Sequence, residues 1–111
     1  MAEDFGVNAD WNALLNAAVL QLQQRLAYQQ PDAAKLIRAY LEVFTDVKRC
    51  DEMGIPVQDE DFFFHEGAIG LALRAHYYLT LQGDPDPMSY VNWRSDYFKQ
   101  LHGDQPRSRA R

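Results

Sequence analysis

The sequence predicts an all-α protein, a compact bundle of four main helices with short loops and a flexible basic C-terminal tail. Three observations favour this class. Apolar residues recur at helical spacing in four segments, three of these segments end at a glycine, and no run alternates between apolar and polar residues as a strand would. We assign residues 1–103 to a single helical domain and residues 104–111 to the tail.

The first helix is predicted to begin near Asn8 or Asp10, either of which can cap free backbone amides, and to run to about Tyr28. Its face opposite the apolar stripe is rich in amides: Asn12, Asn16, Gln21, Gln23, Gln24 and Gln29. Amides need no counter-ion, so a partner protein can bury them at lower cost than charges. The amide face is therefore either a contact surface or a solvated one.

A second helix is predicted from Pro31, which suits a first turn, to Met53, with Gly54 ending it. Only Gln29 and Gln30 link it to the first helix, and such a short link favours an antiparallel hairpin. Its apolar stripe is predicted to be buried and consists of Leu36, Ile37, Tyr40, Leu41, Phe44, Val47 and Cys50.

The central helix is predicted over residues 59–82, with three acidic residues in its favourably charged first turn. Apolar residues surround it, and a helix of this kind normally has neighbours on more than one side. Gly67 and Gly70 are one turn apart and are predicted to admit a second backbone at close range.

A fourth helix is predicted from Met88 to about Leu101. It follows Gly83, which ends the central helix, and has Asp86 as its cap and Pro87 as its first residue.

The composition points to a soluble protein of a reducing compartment. The chain of 111 residues has one cysteine, so an internal disulfide is impossible. No segment approaches the roughly 20 apolar residues of a membrane span, and the acidic start lacks the features of a signal peptide. We expect a cytoplasmic location and no membrane contact.

Charge is distributed unevenly along the chain. Residues 1–105 hold all sixteen acidic residues and eight basic ones, a net charge of −8, whereas residues 106–111 contain three arginines. Six acidic residues without an intervening base lie between Arg49 and Arg74: Asp51, Glu52, Asp59, Glu60, Asp61 and Glu66. This acidic patch reflects either helix-start electrostatics and a solvated loop or a surface that meets a basic partner.

The basic tail does not indicate a nucleic-acid-binding protein. A body with a charge of −8 repels phosphates, and DNA-binding proteins usually carry a basic face rather than a short basic end. We expect no direct contact with nucleic acid. The tail instead suits an acidic partner or the acidic patch of a second copy.

No catalytic or metal-binding pattern is present. His65 and His76 are three helical turns apart, about 16 Å, so they cannot share one ion. Cys50 lies on the apolar stripe at a helix C-terminus, where burial and the helix dipole both disfavour a thiolate. Glycine-flanked serines, phosphate-binding glycine loops and paired Glu-x-x-His sequences are absent. We therefore predict no enzyme and no cofactor.

Aromatic residues exceed what one neighbouring helix can cover. Phe62, Phe63 and Phe64 span about 200° of helix surface, so one ring needs another neighbour or a partner. Tyr77 and Trp93 add further ring surface of the kind enriched in interface anchors. The alternative is that the four-helix arrangement buries every ring.

These features predict a non-enzymatic protein-protein interaction module: an adaptor, assembly subunit or inhibitor that is oligomeric or belongs to a larger complex. Its partner is another protein, a second copy of the chain, or both. The candidate partner-binding residues are Asn16, Gln23, Gln24, Phe62, Phe63, Phe64, Tyr77 and Trp93. The alternative is an acidic decoy that uses the acidic patch to block the nucleic-acid-binding groove of a partner.

Overall fold

The computed structural model describes residues 2–103, in which it contains helices and no strand. The elements are α1 (Ala9–Leu26), α2 (Gln30–Phe44), α3 (Val47–Met53), α4 (Glu60–Ala75), a π-helix (His76–Thr80) and α5 (Pro87–Gly103). The all-α prediction is confirmed, whereas the prediction of four main helices is wrong in its count. The predicted tail lies outside the described residues.

Helices α1 and α2 form an antiparallel hairpin. The Asn8 side chain caps α1 by accepting a hydrogen bond from the Trp11 backbone N–H at 2.9 Å. Ala27 then adopts a left-handed conformation with φ 61° and ends the helix. Helix α2 begins at once, with Pro31 in its first turn, and the facing sides of both helices are buried.

The predicted second helix is interrupted at Thr45 and Asp46. The Thr45 hydroxyl donates to the Leu41 carbonyl at 2.6 Å, and the Asp46 carboxylate accepts from the Arg49 backbone N–H and caps α3. Both side chains therefore compete with the backbone hydrogen bonds that a continuous helix would form. Val47, predicted to be buried, is 70% exposed, whereas Cys50 of the same predicted stripe is buried.

Helix α4 lies at the centre, as predicted, and runs beside α1 in the same direction. Asn8 at the start of α1 donates to the Glu60 carboxylate at 3.0 Å, and Phe63 contacts Trp11 with 5.3 Å between ring centroids. On another side Phe63 contacts Tyr40 of α2 at 5.6 Å. Neighbours on two sides leave Phe63 fully buried.

The predicted continuous helix over residues 59–82 is instead kinked at Gly67, which has φ 79° and ψ 174°. A Cβ at this glycine would meet no atom within 4 Å, whereas one at Gly70 would lie 2.6 Å from Oε1 of Glu66. The prediction of a closely approaching second backbone is therefore wrong. Gly67 instead adopts a backbone conformation that other residues rarely adopt. The absence of a side chain at Gly70 leaves space for the Glu66 carboxylate on the same helix.

After the kink the chain continues through the π-helix, whose wider turn is closed by the Leu81 N–H donating to the His76 carbonyl at 2.9 Å. Asp86 caps α5, as predicted, by accepting from the Ser89 backbone N–H at 3.2 Å. None of the helices in residues 2–103 has the length and apolar content needed to cross a bilayer.

We predict that Gly67→Asn lowers the free energy of unfolding by about 1–3 kcal/mol, because the conformation at this position is essentially restricted to glycine. The matched control is Gly54→Asn. Gly54 has φ 72° and ψ 27°, a left-handed conformation that asparagine tolerates, so the loss should stay below about 1 kcal/mol. Urea denaturation of both variants measures the difference, and equal losses would contradict a conformational role for Gly67.

Candidate interaction surface

Two of the predicted amide-face residues bind the chain's own N-terminal segment. Asn16 accepts from the Glu3 backbone N–H at 2.8 Å and donates to the Glu3 carbonyl at 2.9 Å. Asn12 accepts from the Phe5 N–H at 2.8 Å, and the Phe5 side chain is buried. The two asparagine amides thus bind the backbone of residues 3–5 by hydrogen bonds. The Asn16 amide is already occupied in this way and is a poor candidate for contact with a partner.

The remaining amides of α1 lie further along the helix. Gln21 accepts a hydrogen bond from Nε of Arg25 at 2.8 Å, Gln23 is half-buried and Gln24 is exposed. The amide face is thus divided between structural and surface positions. The sequence did not reveal this division, because the groups that Asn12 and Asn16 bind are backbone atoms, which carry no residue-specific signal.

The three consecutive phenylalanines have three different environments. Phe63 points into the core, and Phe62 packs beneath the Arg74 guanidinium, whose carbon lies 5.0 Å from the ring centroid. Phe64 is 44% exposed. Successive helical side chains diverge by about 100°, so a single core cannot receive all three rings.

Helix α5 is attached to the body by an aromatic layer, which we define as Tyr77, Tyr78, Tyr90 and Trp93. Ring centroids in this layer are 5.4 Å apart for Tyr77 and Tyr90 and 5.3 Å apart for Tyr77 and Trp93. Tyr77, Tyr78 and Tyr90 are all buried. Tyr77 and Trp93, predicted as partner-binding residues, therefore hold two parts of the same chain together.

Arg74 connects the aromatic layer to α4. Its Nε donates to Oε1 of Glu66 at 2.8 Å, and its guanidinium carbon lies 4.5 Å from the centroid of the Tyr90 ring. A cation held between aromatic faces and a carboxylate is strongly favoured where water is scarce. Burial also raises the pKa of Tyr90 to about 12, so this tyrosine is neutral at physiological pH.

The acidic patch is not a uniform set of free carboxylates. Glu66 is paired with Arg74, Glu60 accepts from Asn8, and Asp59 caps α4 by accepting from the Phe62 backbone N–H. The other three members, Asp51, Glu52 and Asp61, are exposed. The charge of Glu66 is balanced within the fold, so the patch is smaller than the sequence indicated.

A shallow groove runs between α4 and α5. It is lined by His65, Ile69 and Leu73 on α4 and by Arg94 and Phe98 on α5. Arg94 and Phe98 also line an adjoining hollow along α5, together with Val91, Ser95 and Lys99, and we treat the two hollows as one feature. Ile69 is 37% exposed and Val91 is 38% exposed. We call this feature the α4–α5 groove, and the sequence predicted none of its apolar residues as part of a site.

The side chains that could bind a metal ion do not cluster among residues 2–103. Among residues 2–103, no three His, Cys, Asp or Glu side chains lie close enough together to hold a metal ion. His76 is half-buried and its Nδ1 is 2.7 Å from the Tyr28 hydroxyl, whereas His65 is exposed. Burial, followed by the charge of Asp46, raises the pKa of the Cys50 thiol.

Compared with protein-family models, curated proteins and solved structures, the chain shows no significant match to any of them.

We predict that Arg74→Met lowers the free energy of unfolding by about 3 kcal/mol, because it leaves the largely buried Glu66 carboxylate without a partner. The double variant Arg74→Met with Glu66→Met should recover part of this loss, since it removes the orphaned charge. Arg38→Met is the comparison, because the ion pair of Arg38 with Glu3 is more exposed and should contribute about 1 kcal/mol or less. A double variant less stable than Arg74→Met alone would contradict this account.

His76 should make stability depend on pH. Burial lowers its pKa below the ordinary value of 6.5, so the unfolded chain binds a proton more readily than the folded one. This contribution is fully present above about pH 6.5 and is lost as the pH falls toward the lowered value. We expect His76→Gln to lose less stability between pH 7.5 and pH 5.5 than the parent protein, as measured by urea denaturation. Equal losses in the parent protein and in His76→Gln would contradict the prediction.

Proposed function

We propose that this protein is a non-enzymatic interaction module, an adaptor, assembly subunit or inhibitor, that binds another protein or a second copy of itself through the α4–α5 groove. The observation that carries the proposal is the exposure of apolar side chains along both walls of this groove. A protein partner that covers them gains the free energy of removing apolar surface from water.

The shape and lining of the groove suit a helix as the bound element. Two helices line its main part, where Ile69 and Phe98 supply an apolar centre, and Val91 extends the apolar surface into the adjoining hollow along α5. Arg94 and Lys99 supply charged groups beside this centre. An apolar centre with polar groups at its margin is the usual arrangement of protein interfaces, and an amphipathic helix is the usual occupant of such a groove.

Phe64 and Gln24 are two further exposed positions among the predicted partner-binding residues. They lie outside the lining of the α4–α5 groove. We therefore treat them as secondary contacts. Their substitution should weaken association less than substitution within the groove.

The acidic decoy is the less favoured proposal. It requires the six carboxylates to imitate phosphates, but Arg74 balances Glu66 and the amide of Asn8 binds Glu60. Contacts of exposed charges weaken steeply as salt concentration rises, whereas apolar contacts persist. Salt dependence therefore distinguishes the two proposals.

We predict that Ile69→Glu and Phe98→Glu each weaken association at least tenfold, because each places a charge within the apolar centre of the interface. Val47→Glu is the matched control, since it adds the same charge at a more exposed valine on α3. Light scattering over a concentration series measures self-association. Affinity capture from the native host, followed by mass spectrometry, measures partner recovery with each variant at low and high salt.

Three outcomes would contradict the groove proposal. The first is a parent protein that stays monomeric at high concentration and captures no partner. The second is equal recovery with the groove variants and with Val47→Glu. The third is capture that disappears at high salt and after charge reversal of Asp59 and Asp61, which would support the decoy instead.

A further inference from the structure

The α5 side of the α4–α5 groove carries two cations beside apolar side chains. Its lining residues follow the i, i+3, i+4, i+7 and i+8 spacing of one helix face: Val91, Arg94, Ser95, Phe98 and Lys99. Arg94 also lines the hollow against α4, whereas Lys99 lines only the hollow along α5. Five helical residues turn by about 140°, so the two cations lie on opposite margins of this face, with Val91 and Phe98 between them.

The two cations are not neutralised by the protein itself. Arg94 and Lys99 form no ion pair with any residue in the described range 2–103. The Arg94 guanidinium carbon lies 5.5 Å from the centroid of the Tyr90 ring, a contact that positions the cation without cancelling its charge. Asp96, the acidic residue of α5, lines neither part of the groove. Both cations are therefore available to carboxylates of a bound partner.

The carboxylate that lines the groove already has a counter-ion. Glu66 borders the part of the groove against α4, and its Oε1 accepts from Nε of Arg74 at 2.8 Å. This pair adds no net charge. The groove is therefore positively charged, although the whole chain has a formal net charge of −5. Such a local excess of positive charge favours a negatively charged occupant.

Symmetric pairing of two copies does not supply that negative charge. A two-fold contact brings the same surface of both copies together, so the two cations of one copy would approach the two cations of the other. Like charges brought together at an interface oppose association. An offset contact between the groove of one copy and the acidic patch of the next does not close and leads to open chains. A separate acidic protein avoids both difficulties.

We propose that the α4–α5 groove binds an acidic amphipathic helix of a different protein. The apolar stripe of that helix covers Ile69, Val91 and Phe98, and Asp or Glu side chains on both flanks of the stripe pair with Arg94 and Lys99. This inference rests on the proposed function, because it specifies the partner of the same groove. Apolar burial supplies most of the affinity, whereas the carboxylates supply specificity and fix the position of the helix.

The test measures binding of labelled, capped helical peptides to the full chain by fluorescence anisotropy, with ¹⁵N NMR to map the site. The acidic probe has leucines at i, i+3, i+4 and i+7, glutamates on both flanks of this stripe and alanine elsewhere. The basic probe has lysines in place of the glutamates. We expect the acidic probe to bind at least about tenfold more tightly at low salt and the difference to shrink as salt rises. Its shifts should map to Val91, Ser95 and Lys99.

The apolar contribution has its own control. An acidic probe with alanines in place of the leucines should bind at least about tenfold more weakly, because it leaves the apolar side chains of the groove uncovered. Equal binding of the leucine and alanine probes would show that charge alone drives the contact and would overturn the proposal.

A charge reversal tests the cationic margin. Lys99→Glu should weaken binding of the acidic probe about fivefold to tenfold and strengthen binding of the basic probe, since it replaces an attraction with a repulsion. Lys48→Glu makes the same change at an exposed lysine of α3, outside the groove, and should leave both affinities nearly unchanged. An unfolded variant would not gain affinity for the basic probe, so the reversal also distinguishes loss of charge from loss of fold.

The absence of saturable binding of the acidic probe, equal affinities of the acidic and basic probes, or equal effects of Lys99→Glu and Lys48→Glu would overturn the proposal. A groove-dependent dimer that the acidic probe does not dissociate would assign the groove to a second copy and would also overturn it. Failure here with groove-dependent association intact would reject this inference alone. Failure of Ile69→Glu and Phe98→Glu to affect association would reject the proposed function.

Discussion

The ring of Phe63 is the point at which three helices of this fold meet. It is fully buried and contacts Trp11 of α1 and Tyr40 of α2. Because helical side chains diverge by about 100° per residue, fixing Phe63 in the core also fixes the directions of its neighbours. Phe62 is therefore available to Arg74, and Phe64 is left at the surface. The burial of Phe63 therefore determines that Phe62 contacts Arg74 and that Phe64 is exposed.

The second constraint is the attachment of α5. The predicted central helix does not remain straight, because Gly67 introduces a kink and the π-helix follows α4. This path brings Tyr77 to Tyr90 and Trp93, while Arg74 bridges Glu66 and the Tyr90 ring. Helix α5 is thus held against the rest of the fold by aromatic contacts and by the Arg74 guanidinium. Its remaining surface borders the α4–α5 groove, the feature through which we propose that a partner binds.

Much of the fold could be predicted because its signals are local. Asn8, one of two predicted caps of the first helix, and Asp86 cap their helices through side-chain oxygens that accept from nearby backbone N–H groups. Asp59, predicted only as part of an acidic first turn, caps α4 in the same way. The break at Thr45 and Asp46 was also encoded locally, in a hydroxyl and a carboxylate that compete with helix, but the apolar spacing across it obscured the signal. The candidate site was less predictable. Asn16 and Tyr77 were chosen for their chemistry, yet both are occupied within the chain.

The sequence by itself determined the helical class, most helix boundaries, the central position of α4 and the excess of aromatic side chains, because spacing and capping depend on residues a few positions apart. Only the tertiary structure decided which aromatic ring is exposed, which carboxylate is balanced by a cation and which hydroxyls, such as that of Tyr90, are buried without a partner. Those outcomes depend on contacts between residues distant in sequence. Such contacts are set by the burial of Phe63 against α1 and α2, the kink at Gly67 and the docking of α5, not by the spacing within any one helix.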